Sequence, residues 1–161
     1  MANRYTAVMI LIAAFGSITL AGSPADEAKD KKLFEAAQNG DKKALNQLRS
    51  IAEQGDAYAQ VDMALLYSIG SGVTKDSVEA VGWLRRAADQ GDSFAQGLLG
   101  EHYAGGDGVP KDFVTAYKWL NIAAANGDRA SGLLRDRIEK SITPDQIAEA
   151  QHLSREWKPT R

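Results

Sequence analysis

The pattern of apolar and polar positions repeats along this chain with a period of 36 residues. Residues 55–90 placed on residues 91–126 without a gap give 16 identities in 36 positions. Within each unit, apolar residues recur at spacings of three and four, first in one stretch and then in a second stretch beyond a glycine-rich break. This pattern predicts two antiparallel helices per unit and a stacked helical-repeat fold.

Each predicted helix has its own apolar stripe and its own boundary residues. The first helix of each unit carries the stripe Ala59, Met63 and Tyr67, or Ala95, Leu99 and Tyr103. The second helix carries Ala80, Trp83-Leu84 and Ala87-Ala88, or Ala116, Trp119-Leu120 and Ala123-Ala124. Asp56, Asp76 and Asp92 precede the predicted helices as N-caps, because a carboxylate accepts the unpaired amides of a first turn. Gly91 and Gly127 follow the second helices, where glycine adopts the left-handed conformation.

The flanking segments predict an incomplete unit on each side and a terminal helix. Residues 33–54 are interpreted as a partial repeat or cap, and residues 127–140 as a partial repeat whose apolar side is Leu133, Leu134 and Ile138. Thr143-Pro144-Asp145-Gln146 is typical of a capped helix start. It predicts a C-terminal capping helix over 144–157 with the stripe Ile147, Ala150, Leu153 and Trp157, so the repeat domain covers 33–158.

The N-terminus has the order of regions of a secretory signal peptide. A short basic start at Arg4 is followed by an apolar stretch and then by small residues, which predicts a signal peptide over 1–25 with cleavage after Ala21 or Ala25. The charged segment 26–32 is interpreted as a linker. These features predict a periplasmic or secreted protein. The alternative is an uncleaved helix that anchors the protein in the inner membrane. Contact with a membrane is expected only in that case.

The motif Gly-x-Gly-Val-x-Lys-Asp in both units, followed by Ala, Trp-Leu and Ala-Ala, resembles the Sel1-like repeat, a relative of the tetratricopeptide repeat with a longer glycine-rich loop. The resemblance covers residues 55–126. One departure is Thr74, which stands where the second unit has Pro110. The resemblance implies an all-α fold, a right-handed α/α solenoid of helix pairs with capping helices.

The sequence holds no convincing catalytic or cofactor-binding set. The glycine-rich loops lack the Lys-Ser/Thr ending of a nucleotide loop and follow no strand, so they are interpreted as turns. Two histidines, His102 and His152, are too few for a metal site, and the absence of cysteine excludes thiol catalysis and a lipid-modified N-terminal cysteine. Trp83 and Trp119 are predicted to lie in the core. A net charge of −2 gives no basis for nucleic-acid binding. We therefore expect no enzyme activity, no cofactor and no metal.

A binding surface is the remaining candidate for function. First helices line the concave side of stacked helix pairs, where such proteins usually bind. The candidate residues lie on these helices away from the core stripe: Tyr58, Asp62, Leu65, Ile69, Phe94, Leu98, Glu101 and His102. Aromatic, apolar and acidic groups together would suit a protein segment with apolar and basic side chains. The alternative is that Tyr58 and Phe94 pack between neighbouring units.

The function implied by the resemblance is a non-catalytic, monomeric scaffold or adaptor that binds another protein or peptide in the periplasm or cell envelope. One alternative is an envelope hydrolase acting on β-lactams or peptidoglycan. Sel1-like proteins of that kind resemble a cysteine-rich version with a disulfide in each repeat, and this chain has no cysteine. A further alternative is binding of cell-wall glycan.

Overall fold

The computed structural model describes residues 24–160, with side-chain environments from Lys31 onward. The chain divides into two units, residues 1–31 and 32–161. Within the first unit, the described residues are helical. The predicted signal peptide, apart from Pro24 and Ala25, lies outside the described residues.

Residues 24–160 form helices and connecting turns, with no strand. The helices are α1 (Pro24–Gln38), α2 (Lys42–Glu53), α3 (Ala57–Ile69), α4 (Ser77–Asp89), α5 (Ser93–Gly105), α6 (Phe113–Ala125), α7 (Arg129–Glu139) and α8 (Pro144–Glu156). In this part of the chain no helix has the length and apolar character needed to cross a membrane. The predicted helix pairs are confirmed as α3–α4 and α5–α6.

Segment 26–32 differs from the prediction. It was expected to be a linker, but α1 begins at Pro24 and runs through it to Gln38. The segment contains Glu, Ala, Lys and Asp only, most of which are good helix formers, and proline is favoured in the first turn of a helix. High charge therefore marks this stretch as polar but does not prevent it from being helical.

Aspartate side chains cap the N-termini of the repeat helices as predicted. Asp56 and Asp92 each accept one backbone N–H, from Ala59 at 2.8 Å and from Ala95 at 2.7 Å. The second helices have caps of another geometry, in which one aspartate accepts two amides; these caps are Asp76 and Asp112. The helix boundaries thus come from local hydrogen bonds that recur with the repeat.

The core contains the same positions of both units. Ala59, Met63, Ala95 and Leu99 are buried on the first helices, and the second helices bury Ala80, Trp83, Leu84, Ala87, Ala88, Ala116, Trp119, Leu120 and Ala123. The prediction that both tryptophans belong to the core is confirmed, since Trp83 is 7% and Trp119 5% exposed. Helix α2 buries Ala44, Leu48 and Ala52, which precede Ala80, Leu84 and Ala88 by 36 residues. It therefore acts as the second helix of an incomplete preceding unit.

The glycine-rich loops are packing elements. Gly72 has φ +70° and Gly108 has φ +74°, a conformation that favours glycine. A Cβ at Gly72 would overlap the carbonyl of Ala37, and a Cβ at Gly108 would overlap the carbonyl of Ser77. Each loop thus lies directly on the backbone of an earlier helix, which explains why the glycines recur.

In the C-terminal part of the described chain the predicted capped helix is confirmed, but two apolar residues that were predicted to be buried are exposed. Thr143 and Gln146 form a reciprocal capping box at the start of α8. Helix α8 packs against α6, not along the outer side of α7. The outward position Leu133 is consequently 72% exposed, and Leu153 is 39% exposed, although both were expected to be on buried stripes.

Candidate partner-binding surface

The candidate residues of α3 lie on one helix face, because they follow each other at intervals of four, three and four positions. Tyr58 is 52% exposed, and Asp62 and Ile69 are half-buried. Leu65 is only 8% exposed and belongs to the hydrophobic core. The structure therefore leaves Tyr58, Asp62 and Ile69 on this surface and removes Leu65 from it.

Three candidate residues of α5, Phe94, Leu98 and Glu101, follow the same spacing one repeat later. Phe94 is 38% exposed, Leu98 is half-buried against the core, and Glu101 is exposed. Neither Tyr58 nor Phe94 is therefore fully enclosed between neighbouring units. We use the name first-helix surface for Tyr58, Asp62, Ile69, Phe94, Leu98 and Glu101.

His102 has a local structural contact. Its Nδ1 lies 2.8 Å from the backbone oxygen of Asp107, so the ring ties the last turn of α5 to the following loop. In the first unit the same position is Leu66, which is fully buried. Within the described residues, no group of three His, Asp or Glu side chains could hold a metal ion.

Three effects set the pKa of the Glu101 carboxyl, the largest of them the partial burial of that carboxyl. Loss of solvent around the carboxyl raises the pKa of Glu101, His102 acts to lower it, and Asp128 raises it further. Asp128 is the N-cap of α7. An acidic side chain next to another carboxylate is stabilised by a cation, so this end of the first-helix surface favours a basic partner group.

Sequence reasoning missed a pair of buried amides that position the first helices. Gln60 is 3% exposed; its Nε2 donates to the oxygen of Ala52 at 3.0 Å, and its Oε1 accepts from Gln90 Nε2 at 2.8 Å. Gln60 thus joins α3 to the end of α2, which precedes it, and to the end of α4, which follows it.

The second unit repeats this bridge at Gln96, which is fully buried. Its Nε2 donates to Ala88 at 3.1 Å, and its Oε1 accepts from Asn126 Nδ2 at 3.4 Å. The signal available in the sequence was a glutamine identical in both units and adjacent to the conserved stripe alanine of each unit (Ala59 or Ala95).

Comparisons with known proteins place this geometry among helical repeats. The Sel1 repeat family matches residues 57–92 and 93–128. A Sel1 repeat protein from Oxalobacter formigenes is similar in structure, with a TM-score of 0.60 and 34% identity over 71% of this chain and 93% of that chain.

A second similar structure is c5321, described as a protective antigen present in uropathogenic Escherichia coli strains and displaying an SLR fold. The TM-score is 0.72 with 32% identity over 83% of this chain and 30% of that chain, so this chain spans less than a third of the antigen's length. None of the curated proteins matches the sequence.

Proposed function

Because the chain belongs to the Sel1 repeat family, whose members are generally protein-interaction scaffolds, we propose that it is a non-catalytic scaffold that binds a partner protein through its first-helix surface. The observation that carries this proposal is the pair of exposed aromatic side chains, Tyr58 at 52% and Phe94 at 38%, one repeat apart on the same face of successive first helices. Aromatic side chains are frequent anchors of protein interfaces.

The partner segment is proposed to be amphipathic and basic. Apolar contact would come from the two aromatic rings and Leu98, and the carboxylates of Asp62 and Glu101 would face its basic groups. The Asp128 carboxylate near Glu101 supports this assignment, because a cation of the partner would reduce the repulsion between the two carboxylates. The surface is the concave side of the solenoid in this proposal.

Photo-crosslinking in cells tests the surface. A photoreactive amino acid at Phe94 or Leu98 is expected to give one discrete adduct, while the same group at Glu149, which is exposed on α8, gives none. Glu101→Lys should abolish the adduct formed from Leu98 without changing the far-UV circular dichroism. Adducts from Glu149 alone, or an adduct from Leu98 that survives Glu101→Lys, would contradict the proposed surface.

We also propose that this binding takes place in the periplasm or cell envelope after removal of the signal peptide. The supporting observation is the order of basic, apolar and small residues in 1–25. Cell fractionation with N-terminal sequencing should find the protein in the periplasm, beginning at Gly22 or Asp26. A membrane-bound protein that begins at Met1 would show the anchored alternative instead.

A further inference from the structure

The C-terminal tail of this chain, residues 157–160, is an extended segment bound in a groove of the second repeat. At Trp157 the backbone leaves α8 with φ −67° and ψ 138°. The Trp157 ring packs edge-on against Trp119 with 5.9 Å between the ring centroids. The Thr160 amide and hydroxyl both donate to the backbone oxygen of Asp89, at 2.7 and 3.1 Å. A Cβ at Gly91 would lie 3.6 Å from Pro159 Cβ, so the tail also covers this turn.

The same groove exists one repeat earlier. The positions 36 residues before Asp89, Gly91 and Trp119 are Glu53, Gly55 and Trp83. Glu53 and Trp83 line an open cavity of about 640 Å³ between α2, the loop after α3, and α4. A Cβ at Gly55 would meet nothing within 4 Å, in contrast to Gly91. We call this cavity the first groove and the one that holds the tail the second groove.

The two grooves differ in charge, and the difference defines the ligand. The first groove has Glu79 where the second has Thr115, and it has Gly82 where the second has Lys118. In the second groove the Lys118 ammonium lies 4.4 Å from the Trp119 centroid. The first groove also has Arg86 where the second has Ile122, so the two grooves hold the same number of cations and the first has one more carboxylate, which favours a basic ligand.

The Trp83 ring limits where a basic side chain of the ligand can lie. The Arg86 guanidinium already lies 4.6 Å from the centroid of Trp83. A second cation on that ring would meet a like charge. Arg49 and Lys75 also line the first groove, together with the carboxylates of Glu53, Asp76 and Glu79. A basic side chain of the ligand therefore belongs beside Glu79, the carboxylate that the second groove lacks.

We propose that the first groove binds an extended segment of a partner protein in which an aromatic residue is followed by a basic residue, proline and a hydroxyl residue, as the second groove holds Trp157–Thr160. Proline suits this site because it favours an extended backbone and requires no acceptor for an N–H. This site is formed by α2, Tyr67 near the end of α3, the loop that follows and α4, and it shares no residue with the first-helix surface. Either proposal can fail without the other.

A titration with a peptide of the chain's own tail sequence, residues 154–160, tests the proposal on the purified protein labelled with ¹⁵N at tryptophan. The indole resonance of Trp83, assigned by its loss in Trp83→Phe, is expected to move, with one peptide bound per chain. The indole resonances of Trp119 and Trp157 should stay in place. Movement of those two instead would show that the peptide only displaces the bound tail, and no movement at millimolar peptide would show that the first groove is not a peptide site.

Matched variants locate the interaction. Trp83→Phe keeps an aromatic ring but removes the five-membered ring of the indole, which reduces the aromatic area in contact with the ligand, and peptide affinity measured by calorimetry should fall roughly five- to tenfold. Glu79→Thr introduces the residue of the second groove and should weaken binding about twofold at low salt. Glu149→Thr, at an exposed position of α8, is the control and should change nothing. Unchanged affinity in both groove variants would overturn the proposal.

The same measurements distinguish a partner protein from a second copy of this chain as the occupant of the first groove. Without peptide, raising the protein concentration should leave the Trp83 resonance and the mass from light scattering unchanged. A Trp83 shift that accompanies dimer formation would show that the occupant is the tail of another copy, and the assignment to a partner protein would be wrong.

Discussion

Replacement of Gln96 by glutamate changes a single amide nitrogen to oxygen at a fully buried position. The Nε2 of Gln96 donates to Ala88 at 3.1 Å, and the side chain accepts from Asn126 at 3.4 Å. An ionised glutamate has no proton to donate, so its second oxygen would face the Ala88 carbonyl. The variant Gln96→Glu therefore places an unpaired charge in the core.

The expected magnitude follows from comparison with Gln96→Leu. Leucine removes the bond to Ala88, but that carbonyl keeps the Gly91 amide at 3.0 Å, so the loss is one net hydrogen bond, about 1 kcal/mol. The glutamate at neutral pH adds the burial of an uncompensated charge and should cost about 3–5 kcal/mol. A protonated glutamate can donate to Ala88, so at low pH its cost should approach that of leucine or fall below it.

The pH dependence has a definite sign. Burial raises the folded-state pKa of the introduced carboxyl above its unfolded value of about 4.3. The penalty is therefore small below that pH and grows by up to about 1.4 kcal/mol per pH unit until the folded-state pKa is reached.

Urea unfolding followed by circular dichroism at about pH 4 and about pH 7 measures the effect. Gln54→Glu, at an exposed position, is the control and should show no comparable pH dependence. Our account of the buried amide bridge is refuted if Gln96→Glu is as stable as Gln96→Leu at neutral pH, or if their difference is the same at both pH values.

Three further predictions concern a loop and two helix caps. Gly108→Ala, where φ is +74° and the new Cβ would overlap the Ser77 carbonyl, should lower the free energy of unfolding by at least about 2 kcal/mol, whereas Gly105→Ala, with nothing within 4 Å, should be neutral or stabilising. Partial burial acts to raise the pKa of Asp112, but hydrogen bonds from the amides and a hydroxyl of the first turn outweigh it and lower this pKa below its ordinary 3.8. Its contribution to stability is therefore full above that value and lost as the pH falls through the folded-state pKa, so the difference in stability between wild type and Asp112→Asn should change over this acidic range. Thr143→Ala should cost about 1 kcal/mol, because the threonine oxygen accepts a first-turn amide at 3.3 Å.

Each of these is read from denaturant unfolding of the variant beside the wild type. Equal losses for Gly108→Ala and Gly105→Ala would show that the contact with Ser77 is not the cause. A wild-type minus Asp112→Asn difference that is constant from neutral to strongly acidic pH would show that the Asp112 charge does not contribute through its cap.

The repeat architecture could be predicted from the sequence because it depends on local rules. Helix caps at Asp56 and Asp92, turns at Gly72 and Gly108, and stripes spaced by three and four all act within a few residues of the chain. Their recurrence at 36 residues places the elements in series, so secondary structure and the order of packing follow together.

The candidate surface could be predicted only in part. Periodicity identifies which residues share a helix face, and it correctly brought Tyr58 and Phe94 to exposed positions. It could not show that Leu65 is closed off by neighbouring helices, or that Leu133 remains exposed because α8 packs on α6. Burial at the edge of a stripe depends on what the next element covers.

By itself, then, the sequence determined the repeat, its caps and its family resemblance, since these are encoded in residues close together in the chain. The tertiary structure alone decided which helix covers which face, that Gln60 and Gln96 bridge three helices, and that the tail fills one groove while its counterpart at Trp83 stays open. Those features include contacts between residues 30 or more positions apart, which only the folded arrangement brings within contact distance.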